Sequence, residues 1–148
     1  MADNIIQILL ADDDPDDRLF FSEAFESTSL RYKLKMLNDG QELMDYLHSP
    51  DTTLPSIVFL DLNMPRKNGI DCLKEIRADE KLKNLSVAIY STSSSTEDID
   101  NAFILGANIY IKKPNNFNEL KRVLQKVVTV NWQFHTANLN KETFMLTV

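Results

Sequence analysis

Four short apolar runs in this chain each end in side chains that can do chemistry. The first ends in Asp12-Asp13-Asp14, the second in Asp61, the third in Ser91-Thr92 and the fourth in Lys112-Lys113-Pro114. Brought to one edge, the carboxylates would repel, and one would have to take up a proton or share a cation. Oxygen ligands that leave room for water suit Mg²⁺. A carboxylate ringed by a dication, an ammonium and a hydroxyl is also suited to phosphoryl transfer. The carboxylate is the nucleophile, and the metal and lysine neutralise the equatorial oxygens.

Whether these groups meet depends on the elements that carry them. Residues 5–11 form a nearly continuous apolar stretch, the pattern of a strand covered on both faces. Asp14-Pro15 then reads as N-cap and first helical residue, with Asp16 and Asp17 in the first turn, where the helix dipole favours them. Leu19, Phe20, Phe21, Ala24 and Phe25 supply an apolar face for a helix to about Ser27. Residues 32–37 alternate, with Tyr32, Leu34 and Met36 on one side and Lys33 and Lys35 on the other, as in an edge strand guarded by lysines. Leu43, Met44 and Leu47 mark a second helix, and residues 56–60 a second buried strand. Ile70, Leu73 and Ile76 mark a third helix, residues 85–90 a strand, and Ile99, Ala102 and Phe103 a fourth helix. Residues 107–111 are the last strand, followed by a helix carrying Phe117, Leu120, Leu124 and Val127. The sum is (βα)5, which implies a parallel sheet with helices on both faces and right-handed crossovers. Open sheets of this kind bind ligands at the carboxyl ends of their strands, where the chemistry-bearing residues stand.

Composition narrows the function classes. The chain has 148 residues, 43% of them hydrophobic, so it has one domain's length and enough apolar content for a core. Its net charge of −6 is a poor balance for holding a polyphosphate backbone. No apolar run approaches the length of a membrane span, and Met1-Ala2-Asp3-Asn4 is no signal-peptide start. A single cysteine excludes an internal disulfide and a cysteine zinc site, and the expected compartment is the cytoplasm. With three glycines, neither the dinucleotide fingerprint nor the P-loop is present.

Four segments carry a resemblance. Ile8-Leu9-Leu10-Ala11-Asp12-Asp13-Asp14-Pro15, Asp61-Leu62-Asn63-Met64-Pro65, Tyr90-Ser91-Thr92-Ser93 and Tyr110-Ile111-Lys112-Lys113-Pro114 resemble the receiver domain of two-component response regulators. Each alone is weak; together, in this order and spacing, they are specific. The resemblance implies a flavodoxin-like (βα)5 fold, a doubly wound five-stranded parallel sheet in the order 2-1-3-4-5. It implies a receiver over residues 1–129, a C-terminal tail over 130–148, and no output domain. It casts Asp61 as phosphoacceptor, and Asp12, Asp13, Asp61 and the backbone carbonyl of Asn63 as Mg²⁺ ligands. Lys113 and Ser91 would bind the phosphoryl group, Ser91 and Tyr110 would switch, and Asn63 and Ser93 would tune dephosphorylation. The Lys113-Pro114 bond would be cis. Two positions depart mildly: Ser91, where threonine is commoner, and Ala11, where a larger aliphatic residue is usual. The implied function is a stand-alone phosphoacceptor switch rather than an enzyme. It would be served by a sensor histidine kinase or phosphotransfer protein, with no nucleic acid or membrane among its partners.

Other readings fit the same residues less well. A haloacid-dehalogenase-like phosphatase also uses Asp, Mg²⁺, Ser/Thr and Lys, but Asp12-Asp13-Asp14 runs into Pro15-Asp16, and no insertion is long enough for a cap. A receiver that only scaffolds would not need intact Asp12, Asp13, Asp61, Ser91 and Lys113. A calcium loop starting at Asp12 fails because Asp17 stands where glycine is required and Pro15 interrupts. Cys72 reads as a packed residue, and His48 and His135 are isolated.

The tail carries Trp132, Phe134, Leu139, Phe144, Met145 and Leu146. Each large side chain fully buried is worth about 1.5–3 kcal/mol, so the expectation is that the tail docks. It would do so as an arm on the chain's own surface, or on a partner: a second copy in a two-fold dimer, or the kinase.

Overall fold

The computed structural model describes residues 5–129 and the backbone of residues 145 and 146. The elements run β1 (Ile6–Ala11), α1 (Pro15–Glu26), β2 (Tyr32–Leu37), α2 (Gly40–His48), β3 (Ile57–Leu60) and α3 (Gly69–Ala78). They continue with β4 (Ser86–Ser91), α4 (Thr96–Ile104), β5 (Ile109–Lys112), α5 (Phe117–Thr129) and β6 (Met145–Leu146). The first five strands are parallel and stand in the order 2-1-3-4-5, the flavodoxin-like arrangement. The sheet then gains a strand the sequence reading lacked. β6 lies parallel to β5, with Tyr110 opposite Met145 and Ile111 opposite Leu146. This part of the tail is therefore docked on the chain's own β5 edge. Trp132, Phe134, Leu139 and Phe144 lie outside the described residues.

Period-two alternation sorts the sheet onto two cores. Ile8, Leu10, Phe59, Ala88, Tyr90 and Ile111 pack with Phe21, Ala24 and Phe25 of α1 and Leu120, Val123 and Leu124 of α5. Leu9, Ala11, Val58, Leu60, Val87 and Ile89 face the other way, onto α2, α3 and Ala102 of α4. Phe21, Phe25, Phe59 and Tyr90 form an aromatic cluster with ring centroids 5.0–6.3 Å apart.

Helix starts follow the cap chemistry. Asp14 accepts from the amides of Asp16 and Asp17, with Pro15 at the first position. Asn68 caps α3 and Ser95 caps α4.

Three expectations are corrected. Leu19 is 58% exposed and does not join the α1 core face. It lies about 200° around the helix from Phe21, so both cannot face the sheet. Met36 is also exposed, at the sheet edge, while Leu37 turns inward. The Lys113-Pro114 bond is trans, because no peptide bond among the described residues is cis. A trans bond is the favoured form of X-Pro by about 0.5–1 kcal/mol, and it already lets Lys113 reach the carboxylates described next.

Candidate functional site

Three loops leave the carboxyl edge of the sheet side by side. Asp12 follows β1, and its amide donates to the carbonyl of Leu37 at 3.1 Å. Asp61 follows β3, and its amide donates to the carbonyl of Ala11 at 3.0 Å. Lys113 follows β5, and its amide donates to the carbonyl of Ser91 at 2.8 Å. These ladder-end bonds tether each side chain at its Cα. The Lys113 ammonium then stands 2.8 Å from Asp12 Oδ2, 2.8 Å from Asp17 Oδ2 and 3.3 Å from Asp61 Oδ2. It also lies 5.2 Å from the centre of the Tyr90 ring.

The site is buried on one side and open on the other. Asp12 is fully buried and Asp61 nearly so, while Asp13 is exposed. Carboxylate oxygens of Asp12, Asp13 and Asp61 lie within 4.8 Å of one another. Burial pushes the Asp61 carboxyl up to about 6. The Lys113 ammonium pulls it down, and the charge on Asp12 adds to the rise. Burial alone would lower the Lys113 ammonium, but its close contacts with Asp12 and Asp17 and the charge of Asp61 overcome this and raise it. The lysine therefore stays charged.

Asp12 Oδ2 is buried with no hydrogen bond of good geometry, leaving the ammonium as its near neighbour. Three carboxylates, one exposed to water and one with an unsatisfied oxygen, make an all-oxygen donor set for a hard dication that keeps some of its waters. Asn63 is exposed, and its amide donates to Asp61 Oδ1 at 3.2 Å.

Ser91 ends β4 and Tyr110 lies within β5, and both are fully buried. Ser91 Oγ accepts from the amide of Ser93 at 3.1 Å, and the Tyr110 hydroxyl donates to the carbonyl of Ser93 at 2.8 Å. The Ser93 hydroxyl donates to Asp98 Oδ2 at 2.6 Å. Ser93 thus links the end of β4 to Tyr110 on β5 and to the first turn of α4.

Several residues of the site escaped the sequence reading. Local pattern marks Asp17 only as a helix-start charge, yet it meets Lys113. Arg18 donates to the carbonyl of Asp12 at 2.7 Å. Gly69 begins α3 directly against the Asp61 backbone, and a Cβ there would stand 2.2 Å from the Asp61 carbonyl oxygen. The signal for Gly69 was its rarity, as one of three glycines. Cys72 is a packed residue as expected, its thiol pushed up to about 12 by burial.

The family model described as the response regulator receiver domain matches residues 8–125. The chain belongs to the response regulator receiver family. This membership displaces the dehalogenase-like alternative. The receiver is 29% identical over 124 residues to response regulator Rcp1 of Synechocystis sp., covering 81% of this chain and 84% of that protein. It is 41% identical over 97 residues to chemotaxis protein CheY-3 of Vibrio cholerae, covering 61% of this chain and 72% of that protein. Its fold is similar to the Mn²⁺-bound form of Rcp1, with a TM-score of 0.75 at 28% identity, over 84% of this chain and 92% of that one. It is also similar to the phosphorylated cyanobacterial phytochrome response regulator RcpA, with a TM-score of 0.77 at 31% identity, over 83% and 91%. Receiver domains act as phosphoacceptor switches in two-component signalling. Among the described residues no helix is long and apolar enough to cross a membrane.

Proposed function

We propose that this receiver takes a phosphoryl group onto Asp61 from the phosphohistidine of a sensor histidine kinase or phosphotransfer protein, and signals through the protein surface it then presents. One observation carries the reading. The Lys113 ammonium lies 3.3 Å from Asp61 Oδ2, inside a nest where three carboxylates gather within 4.8 Å.

In the transfer an Asp61 oxygen attacks phosphorus in line. A P–O bond forms as the P–N bond to the partner's imidazole breaks, and the imidazole nitrogen keeps the electron pair. Lys113 stabilises the charge spread over the equatorial oxygens, and the Ser91 hydroxyl hydrogen-bonds one of them. Asp12, Asp13, Asp61 and the Asn63 carbonyl would hold Mg²⁺, which when bound would supply positive charge against the oxygens that otherwise repel the incoming group. Water later hydrolyses the acyl phosphate, at a rate set by Asn63 and Ser93. The new charge on Asp61 biases Ser91 and Tyr110, and with them the surface of α4, β5 and α5.

The chain so read catalyses only its own phosphorylation and dephosphorylation. Residues 1–129 form the receiver and 130–148 an arm. A second copy of the chain is a further partner, and the compartment is the cytoplasm. The test is labelling with a small-molecule phosphodonor, with and without Mg²⁺, read by intact mass. Wild-type protein should gain one phosphoryl group only with Mg²⁺, and Asp61→Asn should gain none. Labelling of Asp61→Asn at the wild-type rate overturns the assignment.

A further inference from the structure

The Lys113 ammonium has three carboxylate neighbours, and they are not equivalent. Asp12 and Asp61 end strands and are buried; Asp17 sits in the first turn of α1, with its side chain one-third exposed. The ammonium is nonetheless as close to Asp17 as to Asp12, at 2.8 Å, and its longest leg, 3.3 Å, is the one to Asp61. Nothing in the local fold requires this. Asp17 already accompanies its N-cap: its amide donates to Asp14 Oδ1, and its charge faces the positive end of the helix. The side chain thus has a place at the helix start without the lysine, and the lysine is shared with it.

We infer that Asp17 is a positioning residue that shares the Lys113 ammonium with Asp61 in the unphosphorylated receiver, so that its grip sets how readily the lysine turns to an incoming phosphoryl group. The inference rests on the phosphoacceptor reading above. For phosphoryl transfer to Asp61, Lys113 must turn from Asp17 to the oxygens of the incoming group. Asp17 works against this step twice, by competing for the ammonium and by placing a negative charge near an incoming dianion. The bond is intramolecular and partly open to water, so its grip is modest and readily exchanged.

Labelling with acetyl phosphate in the presence of Mg²⁺ tests this without a partner protein, which removes any contact that α1 makes with a kinase. Asp17→Asn should lower the acetyl phosphate concentration for half-maximal labelling rate about two- to fivefold, the range of an ion pair partly open to water. Asp17→Glu, which keeps the charge, should stay within about twofold of wild type. Introduced into a Lys113→Ala background, Asp17→Asn should lose most of its accelerating effect, because the residue acts through the lysine. An unchanged or higher half-saturating concentration in Asp17→Asn overturns the inference. So does equal acceleration with and without Lys113, which would make Asp17 a bare repelling charge. A shift in thermal midpoint alone, with labelling kinetics unmoved, marks Asp17 as merely structural and also overturns it. Wild-type protein that takes no label at all fails the phosphoacceptor reading itself, and the inference falls with it.

Discussion

The hydroxyl of Tyr110 donates to the backbone carbonyl of Ser93 at 2.8 Å, tying β5 to the loop that starts α4. Ser93 in turn holds Asp98 through its own hydroxyl and meets Ser91 Oγ through its amide. Ser93 therefore gives a change at Ser91 a route to Tyr110 and α4. Tyr110→Phe removes the donor and keeps the ring, so it should cost about 0.5–1.5 kcal/mol in denaturant unfolding. Hydrogen exchange at residues 93–98 should quicken while the strands stay protected. Unaltered exchange in that loop would mean that Tyr110 does not restrain it.

Gly69 is a second point of control. A Cβ at this position would stand 2.2 Å from the Asp61 carbonyl oxygen and 2.8 Å from Leu62 Cα, and both are backbone atoms that cannot rotate away. Gly69→Ala should lower stability by about 1–3 kcal/mol and slow phosphodonor labelling, because the shift moves the loop that carries Asp61. Chemical denaturation and labelling kinetics on the same preparation check both.

The buried carboxyl of Asp61 makes a pH prediction. Burial pushes it up to about 6 from an ordinary 3.8. Between these values the folded state holds a proton that the unfolded chain has lost, so stability rises as pH falls from above 6 toward 4. The sign is opposite to that of a salt-bridged carboxylate with a lowered pKa. Without divalent cations, Asp61→Asn should therefore be more stable than wild type at pH 8, by about 1–2 kcal/mol, with the gap closing near pH 4. Mg²⁺ must displace the same proton, so its affinity, followed by titration, should fall as pH drops through 6.

Arg77 separates stability from chemistry. It donates to the carbonyls of Gly106, Lys83 and Leu85 and to Asn108 Oδ1 at 2.7–2.9 Å, clamping the loops at the amino ends of β4 and β5. Lysine cannot present this fork, so Arg77→Lys should cost about 2–4 kcal/mol. The site lies at the other end of the strands, so labelling of the folded protein should keep its half-saturating phosphodonor concentration. A large kinetic change would show that the two ends of the sheet communicate.

Most of this protein could be read before it was folded. Strand and helix positions came from runs such as residues 5–11 and 56–60 and from cap chemistry such as Asp14-Pro15, which act within a few residues. The meeting of Asp12, Asp61 and Lys113 followed from topology alone, because parallel strands put all their carboxyl ends on one edge. Local pattern and topology therefore specify the architecture, and which residues stand at its active edge.

Tertiary structure decided the contacts between residues distant in the chain. Asp17 and Lys113 are 96 positions apart, and local pattern sees in Asp17 only a helix start. Gly69 could be recognised as an obligate glycine only once the backbone of Asp61 was seen to pass beneath it. Leu19 looked like core until the helix turned it to water, and β6 acquired its place only when the β5 edge existed to receive it. In each case local propensity is silent, because the energy comes from atoms brought together by the fold as a whole.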